Sequence, residues 1–339
     1  MVGRIRTVWR RLPVVRQLHQ SVGLQRGMLV AGLIITGLFA LVAIFAPLLA
    51  PYGFSQLKDE NGNFGAQVPP GGNHLLGTTS GGYDVLSRVI WGAQTAFSVI
   101  VVAVLLSIFV GVLLGLISGF LGGWLDRVLV VIADAVYAFP TLLLAIVAAI
   151  AISGGQSSLW GGVFAAAVSI TVVFIPQYFR VIRAETVRIK SEAYVESAKV
   201  IGTSTWRIMF RHVLRNATRS LPLIFTLNSS EAILTLAGLG FLGFGIEPTS
   251  AAEWGYDLNK SISDVTSGIW WTSIFPGLAI VLIVLGITLV GESLNDLADP
   301  RLRTRRKADG GPALTADVST IPGGSLDDVT DLDKLEPSK

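Results

Sequence analysis

The chain has 339 residues, of which 51% are hydrophobic and 14% are Asp, Glu, Lys or Arg, with a mean hydropathy of +0.63. A soluble domain carries roughly a quarter charged residues, so this balance excludes an ordinary cytoplasmic enzyme, a disordered chain and a nucleic-acid binder built on dense basic patches. With no cysteine and only His19, His74 and His212, far apart, there is no disulfide, thiolate metal site or cysteine nucleophile to read.

Residues 1–27 form a basic tail with Arg4, Arg6, Arg10, Arg11, Arg16 and Arg26, suited to lie against anionic headgroups. No charge follows until Lys58, and the spacing predicts a first transmembrane helix at 28–50. Its apolar run is about twice the 7–15 residues of a secretory h-region, which favours an uncleaved span over a signal peptide. Residues 51–95 read as a polar, Gly/Pro-rich extracytoplasmic loop. Further charge-poor runs predict helices at 96–121, 128–152, 159–179, 221–244 and 270–291. The third and fourth are divided by the turn signal Ser153-Gly154-Gly155-Gln156-Ser157-Ser158. Lipid leaves backbone groups no partners, and no period-2 alternation suggests a barrel, so the spans are helical.

With the N-terminus inside, 23 of the 26 Lys and Arg fall on inner segments and only Lys58, Arg88 and Lys260 outside. That asymmetry predicts cytoplasmic N- and C-termini. Trp91, Trp124, Trp160, Trp270 and Trp271 fall at predicted span ends, as an interfacial belt requires. The cytoplasmic tail, 293–339, turns acidic, and its composition predicts disorder from about 308.

The inner segment, about 180 to 220, is long for a helix connection. Val195, Ala198, Val200 and Ile201 give an apolar side before Gly202, and Trp206, Ile208, Phe210, Val213 and Leu214 give one after it. Thr203 or Ser204 can cap the second helix. The predicted helix–break–helix carries an apolar ridge that a soluble partner with a groove would explain.

Within the spans, Glu231 is costly in hydrocarbon and must face protein or water. With Asn228, Ser229 and Ser230 it forms a candidate polar patch. The carboxylate either lines a cavity, near a peptide's amino group, or is satisfied by a neighbouring helix. Asp134 reads as structural, with Arg127 two turns back to help. Glycines 111, 115, 119 and 123 repeat every four residues, a stripe for close helix packing whose neighbour lies either in this chain or in another. Pro140 and Pro176 free carbonyls inside spans and favour kinks.

Four ordered segments carry a family resemblance. Glu196-Ser197-Ala198 followed by Gly202 resembles the "EAA…G" motif of ABC importer permeases. His74-Leu75-Leu76-Gly77-Thr78 with Asp84-Val85-Leu86-Ser87-Arg88, Phe241-Leu242-Gly243-Phe244-Gly245 with Trp254-Gly255, and Trp270-Trp271, Phe275-Pro276-Gly277 and Asp299-Pro300-Arg301-Leu302-Arg303 narrow it. They resemble motifs of the C-type permease subunit of dipeptide/oligopeptide importers. The likeness runs from about 27 to 306. Ser197 replaces the first Ala of the motif, Arg215 stands where Pro commonly closes it, Thr79 and Tyr83 replace Asp and Arg, and Leu236 replaces a common Glu.

The resemblance implies a type I ABC importer permease fold: an all-α polytopic protein of six transmembrane helices with a five-helix core at 96–292, in a bacterial inner membrane. It implies a homologous B-type permease partner, two ATPase subunits that bind ATP and Mg, an extracytoplasmic binding protein and a di- or oligopeptide cargo, or else nickel or an opine. It implies no nucleic acid, no metal and no cofactor in this chain. Glu196, Ser197, Ala198, Ile201, Gly202, Thr203 and Trp206, within the loop 184–219, would couple to the ATPase. Gly202 would either permit the sharp turn that coupling needs or simply end a helix. The chain lacks a phosphate-cradling G-x-x-x-x-G-K-[ST]; the nearest stretch, Gly255 to Ser261, has Asn259 before Lys260-Ser261 where glycine is needed. An intramembrane enzyme lacks convergent polar residues, and a channel or sensor leaves the long inner loop unexplained.

Overall fold

The computed structural model describes residues 24–60, 62–153 and 161–298. The basic N-terminal tail, the turn after the third predicted span, Trp160, the Asp299–Arg303 motif and the acidic tail lie outside them. Of the second compact unit, Leu297–Lys339, only the two residues that end the last helix are described.

Among the described residues the fold is a helix bundle with one small hairpin. Helix α1 (Leu24–Ile44) leads into the short α2 (Ala46–Leu49). The loop beyond carries β1 (Lys58–Asp59) and β2 (Gly62–Asn63), paired antiparallel with Lys58 opposite Asn63. Helix α3 (Val85–Leu121) begins eleven residues before its expected span. Asp84 caps it, accepting from Ser87 N (2.8 Å) and Ser87 Oγ (2.7 Å). At about 1.5 Å per residue its 37 residues reach roughly 55 Å, well beyond the ~30 Å hydrocarbon layer. The surplus carries polar groups into the loop region.

The expected span 128–152 is a correction: it is two helices, α4 (Gly123–Tyr137) and α5 (Thr141–Ser153), bent by 100° at the break. Pro140 supplies the physical reason, because its ring bars α-helical continuation. Pro176, by contrast, stays inside α6 (Gly161–Lys190). Among the described residues five helices are long and apolar enough to cross a membrane, or six if the bent pair counts as one.

The stripe on α3 finds its neighbour in this chain. A Cβ on Gly111, Gly115 or Gly119 would press on Tyr178, Phe179, Arg183 and Thr186 of α6, whereas Gly123 faces open space. Ser107 Oγ and Thr171 Oγ1 cross the same seam to the backbone of the facing helix (3.2 and 3.3 Å). Around this pair packs a cluster including Val99, Ala103, Ile170, Phe174, Ile233 and Leu239.

After α7 (Ala193–Val200) come α8 (Thr205–Arg207), a π-helical turn (Ile208–Val213), α9 (Leu214–Ala217) and a 3₁₀ turn (Thr218–Ser220). They precede α10 (Leu221–Phe241). The segment between α10 and the last helix contains α11 (Trp254–Thr266), and α12 (Trp271–Ala298) closes the bundle.

The loop between α2 and α3, the start of α3, α11 and the start of α12 meet at one end. Indole N–H groups bind them: Trp91 to Tyr52 O (3.0 Å), Trp254 to Val89 O (3.1 Å) and Trp271 to Thr78 O (3.2 Å). Trp91 and Trp271 are therefore structural ties rather than lipid-belt anchors, while Trp124 and Trp270 are exposed as a belt requires. At the other end, α7 and the turns after it pack on the C-terminal halves of α3 and α6.

Candidate functional site

The segment with the EAA-like motif is built in two layers. Val195 and Ala198 point inward, onto a cluster formed by Leu116, Phe120, Ile182, Ile189, Ile208 and Met209. Asn216 Nδ2 donates to Tyr194 Oη (2.9 Å), tying α7 to α9. The outward layer holds Glu196, Ser197, Val200, Ile201, Gly202 and Trp206. Val200 and Ile201 are 86% and 80% exposed. Trp206 is 62% exposed and stacks on Phe210 with centroids 5.8 Å apart and planes within 10°. The π-turn contains Phe210, and so shapes this stacked pair.

Of the seven residues expected to couple, the structure brings six to one exposed or half-exposed surface. Thr203 is half-buried, and Ala198 is the correction: it is core, because helical periodicity puts it three residues after Val195 on the inner face.

Gly202 is where α7 stops. Its φ is +78°, Gly202 N donates to Lys199 O (3.0 Å) and Thr203 N donates to Ala198 O (3.0 Å). Those two bonds define a Schellman motif, with glycine at its left-handed position. Nothing lies within 4 Å of a Cβ built there, so the requirement inside this chain is conformational, not steric. Ser204, not Thr203, occupies the next N-cap, and its side chain makes no capping bond.

The polar patch on α10 divides. Asn228 and Ser229 are buried inside the chain, and Ser229 Oγ donates to Phe225 O (2.6 Å). Ser229 points away from Glu231, and Asn228, three residues before it, is its neighbour around the helix but turned far enough inward to be buried, so the three do not form one exposed patch, a second correction. Glu231 is half-buried on an outer stripe between Leu227 and Leu234, spaced four and three residues away and 49% and 52% exposed. Its carboxylate has no hydrogen-bond partner among the described residues. Asp134 pairs with Arg180 (2.7 Å), not Arg127, and about half of each side chain is exposed, so the pair contributes little stability. Arg180 also lies over the Tyr137 ring, 4.2 Å from its centroid. Asp126 binds the Arg183 fork, which fastens the start of α4 to α6.

At the opposite end is a buried polar cluster to which the sequence assigned no role. Arg88, 1% exposed, directs Nε to both oxygens of Asp257 (2.7 and 2.9 Å) and Nη1 to Phe54 O (3.0 Å). Glu253 caps α11, accepting from Gly255 N and Tyr256 N (each 2.7 Å). Burial pushes its carboxyl up to about 8, against the pull of those two N–H groups. Gly240 of α10 leaves room for that carboxylate; a Cβ there would overlap it. His74 Nδ1 meets Asp84 (2.9 Å), the cap of α3. The available signal was the spacing of Glu253, Asp257 and Asp264, four and seven residues apart on one helical face.

Comparisons with known proteins follow the same divisions. Residues 111–304 match the family model "Binding-protein-dependent transport system inner membrane component", and residues 24–70 match "N-terminal TM domain of oligopeptide transport permease C". The glutathione transport system permease protein GsiD of Pectobacterium atrosepticum is 36% identical over 301 residues, covering 88% of this chain and 93% of that protein. The dipeptide transport system permease protein DppC of Alkalihalophilus pseudofirmus is 36% identical over 277 residues, covering 81% and 86%. GsiD of Shigella flexneri serotype 5b is 39% identical over 267 residues, covering 78% and 84%. A helical bundle with five to six candidate spans, matched over most of its length, belongs to the family of inner-membrane components of binding-protein-dependent transport systems, the bacterial ABC importer permeases.

Proposed function

We propose that this chain forms half of the translocation pathway of an ABC importer for di- and oligopeptides, and that it is driven through the surface at α7 and α8. The observation that carries the mechanism is the outward layer: Val200, Ile201 and Trp206 are apolar and exposed around a fixed turn, beside the charged Glu196. Apolar side chains of this size, clustered outside the hydrocarbon, call for a covering partner. A helix with its C-terminal turn set by Gly202 is a rigid knob for a groove in a cytoplasmic ATPase.

In this reading both termini and the α7–α8 surface are cytoplasmic, following the distribution of Lys and Arg. Two ATPase subunits bind ATP and Mg, a homologous permease supplies the other half of the path, and an extracytoplasmic binding protein delivers cargo. Closure of the ATPase pair displaces α7. Helix α6 directly precedes it and α10 follows, so the displacement reaches the bundle and exchanges inward- and outward-facing states. Glu231, on the outer stripe of α10, faces the path, where a carboxylate meets water and the cationic end of a peptide. Relatives that transport glutathione or dipeptides support peptide cargo; nickel or an opine is not favoured.

The test is a reconstituted four-subunit complex. Gly202→Asp should still assemble, because the position is open among the described residues, yet peptide-stimulated ATP hydrolysis should fall to the basal rate. Unchanged stimulation overturns the coupling role. For Glu231→Gln, transport kinetics unchanged across peptides of different charge would overturn its place in the path.

A further inference from the structure

The loop end contains a cavity of about 310 Å³ outside the surfaces discussed above, lined by Thr79, Tyr83, Lys260, Ser261, Asp264 and Thr272 among others. That is the lower end of the range for small-molecule sites. Asp264 is 1% exposed. Its Oδ1 accepts from Gln67 Nε2 (2.6 Å), but its buried Oδ2 has no partner among the described residues. The neighbouring hydroxyls direct their hydrogens to backbone carbonyls: Ser261 Oγ donates to Leu258 O (2.8 Å) and Thr272 Oγ1 to Ile269 O (3.4 Å). What they still offer is lone pairs. Asp257, on the same wall, is engaged by Arg88. On the buried wall of the cavity the unspent capacity is thus one carboxylate oxygen and two hydroxyl acceptors, with the hydroxyls of Ser80, Tyr83 and Tyr256 elsewhere in the lining.

That set asks for a compact cation with several N–H donors. An ammonium has three, and it is satisfied by one carboxylate and two hydroxyls. A hard divalent ion takes six or more oxygens, usually several of them carboxylates. Among the described residues no three His, Cys, Asp or Glu side chains cluster to hold a metal. Lys260 supplies the opposite sign at the rim. It is exposed, and its ammonium lies over the Tyr256 ring, 5.3 Å from the centroid, rather than paired with Asp264. An acceptor floor beneath a cationic rim complements a zwitterion.

We propose that this cavity is a binding site for a small zwitterion, an amino acid or short peptide, with its ammonium on Asp264, Ser261 and Thr272 and its carboxylate toward Lys260. The acceptor set stands on the geometry alone; calling it a cargo subsite at the extracytoplasmic entrance rests on the peptide-importer reading.

The purified full-length chain in detergent, titrated with L-alanyl-L-alanine by calorimetry or saturation-transfer NMR, tests it. Saturable binding is expected, weakened about tenfold or more by N-acetylation of the peptide, which removes the charged donor, and several-fold by C-terminal amidation. Asp264→Asn should weaken binding about tenfold. Lys260→Gln, at an exposed position that leaves the fold intact, should weaken the free peptide several-fold but not its amide. The absence of saturable binding, equal binding of the N-acetylated peptide, or indifference to both substitutions overturns the proposal. So does tighter binding of methylammonium to Lys260→Gln, which would mean that Lys260 itself fills the cavity. Reconstituted transport separates the two ideas. Peptide uptake without binding by the isolated chain refutes the cavity alone; binding without peptide uptake by the complex refutes the transport reading alone.

Discussion

At the scale of single residues, the largest energetic commitments are the buried charges of the loop end. Arg88 and Asp257 gain from each other only while both are present. Arg88→Met keeps the bulk but leaves a carboxylate buried without its cation, a loss of about 3–5 kcal/mol. The double change Arg88→Met with Asp257→Leu should recover most of it, read as thermal unfolding in detergent. Glu253 makes a pH prediction. Its folded-state carboxyl titrates near 8, against 4.5 ordinarily. Between those values the folded chain holds a proton that the unfolded chain has released, so stability falls as pH rises through the window. Melting temperature should decline from pH 5.5 to 8, and Glu253→Gln, which stays neutral and still accepts an N–H bond, should flatten that slope. Gly202→Ala forces a side chain into the left-handed region, costing about 1–2 kcal/mol and fraying the end of α7.

At the scale of elements, α3 against α6 is the seam on which the bundle depends. A Cβ on Gly115 would lie 2.7 Å from Phe179 O and 3.0 Å from Arg183 N, backbone atoms that cannot step aside. Gly115→Val should cost about 1–3 kcal/mol by overpacking and lower the melting temperature. The glycine spacing was legible in the sequence; the identity of its neighbour was not, because a small-residue stripe does not name its partner. The apolar runs likewise located the helices. They missed the first eleven residues of α3, since Arg88 and Ser87 look like loop until Asp257 and the Asp84 cap satisfy them. They gave one span where Pro140 makes two helices, because hydropathy does not register direction. The inward turn of Asn228 and Ser229 was equally hidden: adjacent residues on a helix lie about 100° apart, and only the packing of α10 fixes which direction is outside. In the α7 segment the sequence showed one apolar ridge, Val195, Ala198, Val200 and Ile201, but not its division into a buried pair and an exposed pair, because only the packing of α7 on α3 and α6 decides which apolar side chains are covered.

At the scale of the whole molecule, the two ends differ in kind. One is knotted together by three indole hydrogen bonds, a buried ion pair and two carboxylate-capped helices. The other ends in an apolar surface with no cover among the described residues. Replacing Val200 and Ile201 by Ser and Trp206 by Ala should leave the melting temperature nearly unchanged, since the side chains are exposed, while abolishing retention of ATPase subunits in detergent pull-down.

The indole ties give the molecule a fulcrum. In the coupling proposed above, force delivered through α7 would travel along α6 and α3 toward a region where Trp91, Trp254 and Trp271 pin segments distant in sequence to one another. Angular travel should therefore be small at the pinned end and amplified with distance from it. Spin labels at the far ends of α6 and α10 should separate by more on ATP binding than labels near Thr78 and Trp271. Freeing the pin with Trp271→Phe should let both ends drift, spending the stroke as slack.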